Sequence, residues 1–383
     1  MLASSMSDPS GTGPADLGFD AFTRYWLGAR IAEGLTENLV RPRILDVGGR
    51  GGSLAAFFGA AAVTVMDARP PEAEADRRLE AEGRYVVGDV TKEAIPGARY
   101  DIVVSMDMLE HVSPDRRPEV LRNILNASRI GAVIGFPADS PEANCVEETA
   151  NERYRDLFGE DHPWLLEHFA CRPLPSTAEV DSFLEAEGYA FRRFNGNNVF
   201  LWLLMMEFLF LAWRRGIPTG TVEAIYREEF LAGRLGDAVE PAYRTIYAIV
   251  PASGGAGRLE RLSVDTDDGG CGSPGRWKLQ EGITAAVHAG LGVSGGPGGP
   301  TSLDATRLAV RLCDARSELE QSRDSLRLLE SEIRSLEVRL AASGAELGSL
   351  ERRLGERERY VDAIHASAAW RLVQAVRGLL GLR

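Results

Sequence analysis

The stretch ILDVGGRGG at residues 44–52 decides the fold of this chain. A short apolar run passes directly into a glycine-rich turn, and a helical pattern follows at 53–60. Glycines at a strand-to-helix turn let the backbone approach a ligand, and the helix N-terminus offers free amide groups to it. The stretch therefore predicts a site for a nucleotide-like ligand, although dinucleotide-binding folds and ordinary turns use the same residues.

Short apolar runs rich in β-forming residues alternate with helical patterns as far as residue 250. The runs lie at 43–47, 62–66, 84–87, 101–105, 132–136, 189–194 and 243–250. Strands that alternate with helices form βαβ units, in which helices cover both faces of a parallel sheet. We predict an α/β fold with a Rossmann-like, seven-stranded, mostly parallel sheet and a helical insertion at about 197–240.

Acidic residues lie at or just after the ends of the first four predicted strands. They are Asp46, Asp67, Asp89, and Asp107 together with Glu110. The carboxyl ends of parallel strands point to one edge of a sheet, so these acids should surround one crevice. Asp67 closes the second strand, where a carboxylate can accept hydrogen bonds from both hydroxyls of a ribose.

With these segments the chain resembles the class I methyltransferases. ILDVGGRGG is similar to their first motif, VTVMD to their second acidic strand, GDV to their adenine-side acid, and DIVVSMDMLEHV to their fourth motif. The resemblance implies S-adenosylmethionine as cofactor, with Gly48 beside the methionine moiety, Asp67 on the ribose and Asp89 on the adenine amino group. The cofactor-binding residues carried over are Asp46, Gly48, Gly49, Gly51, Asp67, Asp89, Val90 and Met106. Arg50 replaces the usual central glycine, which implies a shifted turn or weakened binding.

A second resemblance covers GEDHPWLLEH, STAEVDSFLEAEGYAF and NGNNVFLWLLMM, together with the ending SAAWRLVQAVRGLL. These segments resemble a bacterial methyltransferase group associated with cell-surface polysaccharide synthesis. The resemblance implies that the acceptor is a sugar, lipid-linked or growing at the cytoplasmic face of the membrane.

Histidines are the candidate catalytic residues, because a sugar hydroxyl has to lose its proton and histidine titrates near neutral pH. His111 adjoins the fourth motif and His168 follows an aromatic-rich stretch, and each is as well explained as a structural residue. His162 precedes Pro163 and is expected to belong to loop structure. Asp161 and His162 are too few for a metal site, so no metal is predicted.

Composition restricts the class of protein further. The formal net charge is −13, which makes nucleic acid a poor substrate. The four cysteines form no CxxC pair, the N-terminus lacks a signal-peptide pattern, and the apolar stretch at 199–213 is shorter than a membrane span. We therefore expect a cytoplasmic protein.

Five segments follow from the pattern along the chain. Residues 1–20 are predicted to be disordered, 21–252 to be the catalytic domain, 253–302 a glycine-rich linker, 303–362 a coiled coil, and 363–383 an amphipathic helix. The coiled coil predicts a homo-oligomer or a glycosyltransferase partner. The last helix, with Arg371, Arg377 and Arg383 and no acid, could contact a membrane surface, continue the coil or dock on the domain.

Two other functions remain open at this stage. A degenerate, non-catalytic methyltransferase-fold scaffold of a glycan-assembly complex would explain Arg50. An NAD-dependent oxidoreductase would also use Asp67 and a glycine turn, but it does not require Asp46 or the DMLEHV segment. The acceptor, the methylated atom and the oligomeric state are not specified by the sequence.

Overall fold

The computed structural model describes residues 13–58, 63–72, 74–95, 100–236, 238–262 and 274–290, together with residues 348, 354, 355, 358 and 359. The chain divides into two compact units, residues 1–302 and residues 303–383. The predicted coiled coil and C-terminal amphipathic helix lie outside the continuously described residues. Among the described residues, no helix combines the length and apolar character that a bilayer span requires.

Seven strands form one sheet in the part of the chain that the structure describes. They are β1 Ile44–Val47, β2 Val63–Asp67, β3 Tyr85–Val87, β4 Tyr100–Met106, β5 Ser128–Pro137, β6 Tyr189–Asn198 and β7 Ala242–Pro251. Their spatial order is β3-β2-β1-β4-β5-β7-β6. The first five pair in parallel, and β7 runs antiparallel to both β5 and β6. The predicted seven-stranded, mostly parallel sheet is confirmed.

Helices connect and cover these strands. The α-helices are α1 Phe19–Leu35, α2 Ala55–Phe58, α3 Glu74–Ala81, α4 Arg117–Ala127, α5 Pro141–Phe158, α6 Pro163–Ala170, α7 Thr177–Ala186, α8 Val199–Arg215, α9 Gly220–Leu231, α10 Ala252–Arg261 and α11 Pro274–Gly290. The longest, α5, has clear local signals: the Ser140 hydroxyl accepts a hydrogen bond from the Ala143 amide, and Gly159 ends the helix in the left-handed conformation. Helices α8 and α9 are the helical insertion that the sequence predicts between the last two strands.

The central strands β1 and β4 are buried along their whole length. Ile44 and Val104 face one core, which includes Ile31 of α1. Leu45 and Val103 face a second core on the opposite side of the sheet. This alternation follows from the two-residue period of a strand, and it explains why strands covered on both faces have continuous apolar sequences.

The segments flanking the predicted domain need correction. Helix α1 begins at Phe19, and a 3-10 turn spans Pro14–Asp16, so the described part of the predicted disordered N-terminus is ordered. The predicted linker contains α10 and α11, so that interpretation was wrong for these stretches. Buried Leu279, Ile283 and Val287 lie four residues apart on α11 and form the apolar stripe that the glycine-rich composition concealed.

Candidate functional site

The glycine turn after β1 forms the floor of the site. Gly48, Gly51 and Gly52 have φ angles of +79°, +81° and +63°, a region that side chains disfavour. The Gly51 amide donates a 2.7 Å hydrogen bond to Asp76 Oδ1 on α3. Asp76 is fully buried and was missed in the sequence, because its position in a polar helix carries no local signal.

Arg50 does not disturb this turn. It lies in a short 3-10 helix, Arg50–Gly52, whose left-handed positions are taken by glycines. Its guanidinium leaves the turn and forms a 2.8 Å ion pair with Glu72. The departure from the usual motif therefore costs no backbone strain, which removes the structural reason to expect a degenerate domain.

Asp46 lies directly beneath the turn. A Cβ at position 49 would overlap the Asp46 carboxylate, so only glycine fits there. The carboxylate is completely buried, and neither of its oxygens has a hydrogen-bond partner among the described residues. Burial raises the pKa of Asp46 to about 8, against the opposing charge of Arg24.

The next two acids stand at the ends of β2 and β3, on the same edge of the sheet. Asp67 is partly exposed and its Oδ1 accepts a 2.8 Å hydrogen bond from the Arg69 amide. Asp89 accepts hydrogen bonds from the amide and hydroxyl of Thr91, and its pKa is lowered by Lys92 and Thr91. Neighbouring Val90 is buried in the core, so its side chain supports the crevice from below.

The side chain of Met106, which the resemblance assigns to cofactor binding, does not face the glycine turn. It is buried at the end of β4 and packs against the backbone at Gly28 and Gly135, away from the glycine turn. The residue that contacts the turn is Met108, since a Cβ at position 48 would lie 3.0 Å from its Cγ. The chain reverses direction at Asp107, whose φ of +52° brings residues 108–111 over the turn.

Asp107 is held by two arginines. Arg244 Nε donates a 2.6 Å hydrogen bond to its Oδ1, and Arg24 reaches Oδ2 at 2.7 Å. Arg244 is almost fully buried and also contacts Asn197 and Asp20. Although burial opposes ionisation, the two guanidinium groups lower the pKa of Asp107 well below its usual range. We call Asp107, Arg24, Arg244, Asn197 and Asp20 together the arginine-bound pocket.

Three side chains meet next to this pocket: Glu110, His111 and His168, which we call the histidine cluster. Glu110 Oε1 lies 3.9 Å from His111 Nε2 and 3.9 Å from His168 Nε2. The two imidazole rings meet edge to face with centroids 4.8 Å apart. The structure thus brings together His111 and His168, the two predicted catalytic candidates, and adds Glu110 between them.

Each histidine of the cluster also faces a second carboxylate through its other ring nitrogen. His168 Nδ1 is 2.8 Å from Glu147 Oε1, which accepts a further 2.9 Å hydrogen bond from the Tyr243 hydroxyl. His111 Nδ1 is 3.0 Å from Glu167 Oε2, at an angle outside hydrogen-bond geometry. Both Nε2 atoms are therefore directed toward Glu110.

The electrostatics of the cluster differ between its members. Burial and the charge of Asp107 raise the pKa of Glu110. Burial, followed by the charge of His168, lowers the pKa of His111. Burial also opposes protonation of His168, but Glu147 and Glu110 together raise its pKa. The cluster was expected to hold no metal, yet its ligand atoms all lie within 4.8 Å of one another.

His162, the third histidine considered, is structural. It precedes α6 and its ring is completely buried against Tyr154, Trp164 and Phe210. Neither ring nitrogen has a hydrogen-bond partner within the described residues, and burial lowers its pKa to about 4.

The comparisons with known proteins agree with this geometry. A family model described as a methyltransferase domain matches residues 44–131. No curated protein sequence matches the chain.

Two solved structures illustrate the structural likeness. The magnesium protoporphyrin IX methyltransferase of Synechocystis PCC 6803 is 13% identical over 60% of this chain and 86% of its own, with a TM-score of 0.35. The N-methyltransferase NodS of Bradyrhizobium japonicum WM9 is 12% identical over 59% and 85%, with a TM-score of 0.32. With TM-scores below 0.5, neither likeness bears on the activity of this chain.

The donor side of the site fits S-adenosylmethionine on the chain's own residues. The turn offers a backbone that no Cβ obstructs, and Asp46 beneath it is a buried carboxylate without an ion-pair or hydrogen-bond partner among the described residues. A sulfonium or an amino group supplies the positive charge that such an acid lacks. Given the turn, the acids at successive strand ends and the matched family model, residues 44–131 are a methyltransferase domain and the chain is an S-adenosylmethionine-dependent methyltransferase.

Proposed function

We propose that this enzyme methylates a hydroxyl oxygen, and that the hydroxyl belongs to a sugar of a cell-surface glycan or glycolipid. The observation that carries the proposal is the histidine cluster beside the donor turn. A hydroxyl is a poor nucleophile until its proton is removed or its oxygen is polarised, and the cluster offers groups able to do either. An amine in its neutral form is already a nucleophile and depends less on such groups.

Residues on one side of the crevice bind the methyl donor, and residues on the other side bind the acceptor. When bound, S-adenosylmethionine supplies an electrophilic methyl group on sulfur. The glycine turn and Asp67 orient the donor, and the histidine cluster holds the acceptor oxygen in line with it. Methyl transfer is an in-line displacement, so alignment and exclusion of water provide much of the rate enhancement.

Helix α6 supports a sugar as the acceptor. It contributes His168 to the cluster and also exposes Trp164 and Leu166, whose exposed fractions are 54% and 51%. Exposed apolar side chains on a helix that also carries a site residue suit a binding surface, and an indole ring offers a flat face to the C–H groups of a sugar ring. The resemblance of GEDHPWLLEH to polysaccharide-associated methyltransferases concerns the same helix.

The test is methyl transfer by the full chain from labelled S-adenosylmethionine to a panel of sugar hydroxyls and amines. We expect transfer to a sugar, a roughly 100-fold loss of kcat in His168→Gln, and an increased KM for the sugar in Trp164→Ala. His288→Gln is the matched control, since it removes a histidine of α11 outside the site. Methylation of amines alone, or full activity in His168→Gln, would contradict the proposal.

Donor binding separates this proposal from the two alternative functions. Calorimetric titration of the full chain should give micromolar binding of S-adenosylmethionine and S-adenosylhomocysteine that is lost in Asp67→Ala. Binding of NAD alone would favour an oxidoreductase. Failure to bind any of the three would favour a non-catalytic scaffold, although the unstrained position of Arg50 removes the main reason to expect one.

For the C-terminal part of the chain, the proposal rests on the amino-acid sequence alone. Residues 303–362 would pair with a second copy or with a glycosyltransferase, and residues 363–383 would place the enzyme at the inner face of the cell membrane. Sedimentation with anionic lipid vesicles tests the second point, with a chain ending at residue 362 as control.

A further inference from the structure

The histidine cluster has the composition and spacing of a metal site. Its donor atoms are two imidazole nitrogens and one carboxylate oxygen, contributed by the turn after β4 and by α6. In a tetrahedral site, metal–ligand bonds of about 2.1 Å hold two ligand atoms about 3.4 Å apart. The two separations of 3.9 Å from Glu110 Oε1 exceed this distance by only about 0.5 Å. Since all three atoms lie within 4.8 Å of one another, the widest pair has to close by up to about 1.4 Å when an ion binds.

A carboxylate outside the cluster orients His168 in the way that metal sites require, and a second carboxylate lies close to His111. A metal-bound histidine usually directs its second ring nitrogen toward a carboxylate, which fixes the tautomer and makes the first nitrogen a better ligand. Glu147 holds Nδ1 of His168, and Glu167 faces Nδ1 of His111. Both Nε2 atoms therefore point to one place, and Glu110 lies at that place.

Glu110 gives the second, independent sign of a ligand. Its side chain is fully buried, and neither oxygen has a hydrogen-bond partner among the described residues. A buried carboxylate without a partner is costly, and a cation is the natural way to compensate it. Neighbouring Asp107 cannot serve as the metal's fourth ligand, because Arg24 and Arg244 already occupy both of its oxygens.

We propose that Glu110, His111 and His168 bind one divalent transition-metal ion, and that this ion holds and activates the acceptor hydroxyl. Two imidazoles and one carboxylate suit zinc and its neighbours in the first transition row better than magnesium, which prefers oxygen ligands. Three protein ligands leave coordination positions open for the acceptor, as in catalytic rather than structural metal sites.

The role in methyl transfer rests on the function proposed above. The ion would bind the acceptor oxygen and lower the pKa of its hydroxyl, so that the proton leaves to solvent. An oxygen lone pair then forms the new C–O bond with the methyl carbon. The S–CH₃ bond breaks with its electron pair remaining on sulfur, which yields a methyl ether and S-adenosylhomocysteine.

The test begins with metal binding alone. The full chain, stripped with EDTA and dialysed, is titrated with ZnCl₂ by calorimetry, and CoCl₂ provides an absorption spectrum that reports imidazole and carboxylate ligation. We expect one ion per chain, with affinity reduced about 100-fold or more in Glu110→Gln and His168→Gln, and about 10-fold in the outer-sphere variant Glu147→Gln. His288→Gln should bind as the wild type does. Circular dichroism of each variant confirms that it is folded.

The outcomes separate this inference from the proposed function. Absence of zinc binding in the stripped wild type, or unchanged zinc affinity in folded Glu110→Gln and His168→Gln, overturns the metal site. S-adenosylhomocysteine titrated into the same stripped sample tests the donor site independently. Sugar methylation that persists in EDTA would leave the proposed function intact and refute the role of the ion. Recovery of methylation on adding ZnCl₂, but not MgCl₂, supports the inference.

Discussion

Asp107 and Glu110 lie within one turn of chain after β4, yet their surroundings are opposite. Asp107 contacts two buried or half-buried guanidinium groups, whereas Glu110 has no hydrogen-bond partner among the described residues. The pKa of the first is lowered and that of the second is raised. Removing one partner of a buried ion pair is costly, whereas a buried acid without a partner already reduces stability and is better explained by a ligand.

The largest effect is expected from Asp107→Asn. Loss of the carboxylate leaves Arg244, which is almost fully buried, with Asp20 as its one acidic partner among the described residues. We expect the free energy of unfolding to fall by about 3 kcal/mol or more, measured by urea denaturation. Glu72→Gln, which breaks the exposed pair with Arg50, is the control and should cost less than about 1 kcal/mol. Equal effects of the two substitutions would remove the contrast on which the comparison rests.

His162 provides a third case for this comparison, because it is a buried histidine without an acidic partner among the described residues. Its folded-state pKa of about 4 lies below the unfolded value of about 6.5, so the unfolded chain binds the extra proton first. Stability is therefore fully present above about pH 6.5 and is lost as the pH falls toward 4, by up to about 3 kcal/mol. We expect His162→Phe to flatten this part of the pH–stability curve. An unchanged curve would show that other groups govern it.

A smaller effect is expected from Tyr243→Phe. The Tyr243 hydroxyl donates to buried Glu147, which in turn holds His168. Loss of that donor should reduce the free energy of unfolding by about 1–2 kcal/mol. Tyr154→Phe provides the control, because the Tyr154 hydroxyl makes no hydrogen bond within the described part of the chain. A loss as large in Tyr154→Phe would mean that the effect does not depend on the hydrogen bond to Glu147.

Glu110→Gln should change stability least in the metal-free protein. The amide keeps the shape of the carboxylate, and the structure shows no hydrogen bond or arginine contact that the substitution would remove. We expect the free energy of unfolding to stay within about 1 kcal/mol of the wild type in EDTA. A loss comparable to that of Asp107→Asn would mean that Glu110 is a structural acid after all.

The donor side of the site could be predicted from the sequence because it is local. Asp46, the glycine turn, Asp67 and Asp89 belong to consecutive strand ends, and the alternation of strands with helices places such ends on one edge. At the end of β4 the Met108 side chain, rather than that of Met106, lies against the turn, because the chain reverses direction at Asp107.

The acceptor side could not be predicted in the same way, because it joins residues from distant parts of the chain. His168 meets Glu147 across 21 positions, and Tyr243 reaches the same carboxylate across 96. One signal was available: Arg244 is a lone charge inside the apolar run YRTIYAIV, and a buried arginine requires an acidic partner. Identifying that partner as Asp107 required the topology.

The arginine-bound pocket also determines how much of the chain must be synthesised before the catalytic edge is complete. Arg24 comes from α1 and Arg244 from β7, and both lie outside the matched segment 44–131. That segment, made alone or emerging first during synthesis, would leave Asp107 without either of its arginines, next to an unfinished crevice. The catalytic edge is therefore completed only after the chain has been synthesised past residue 244.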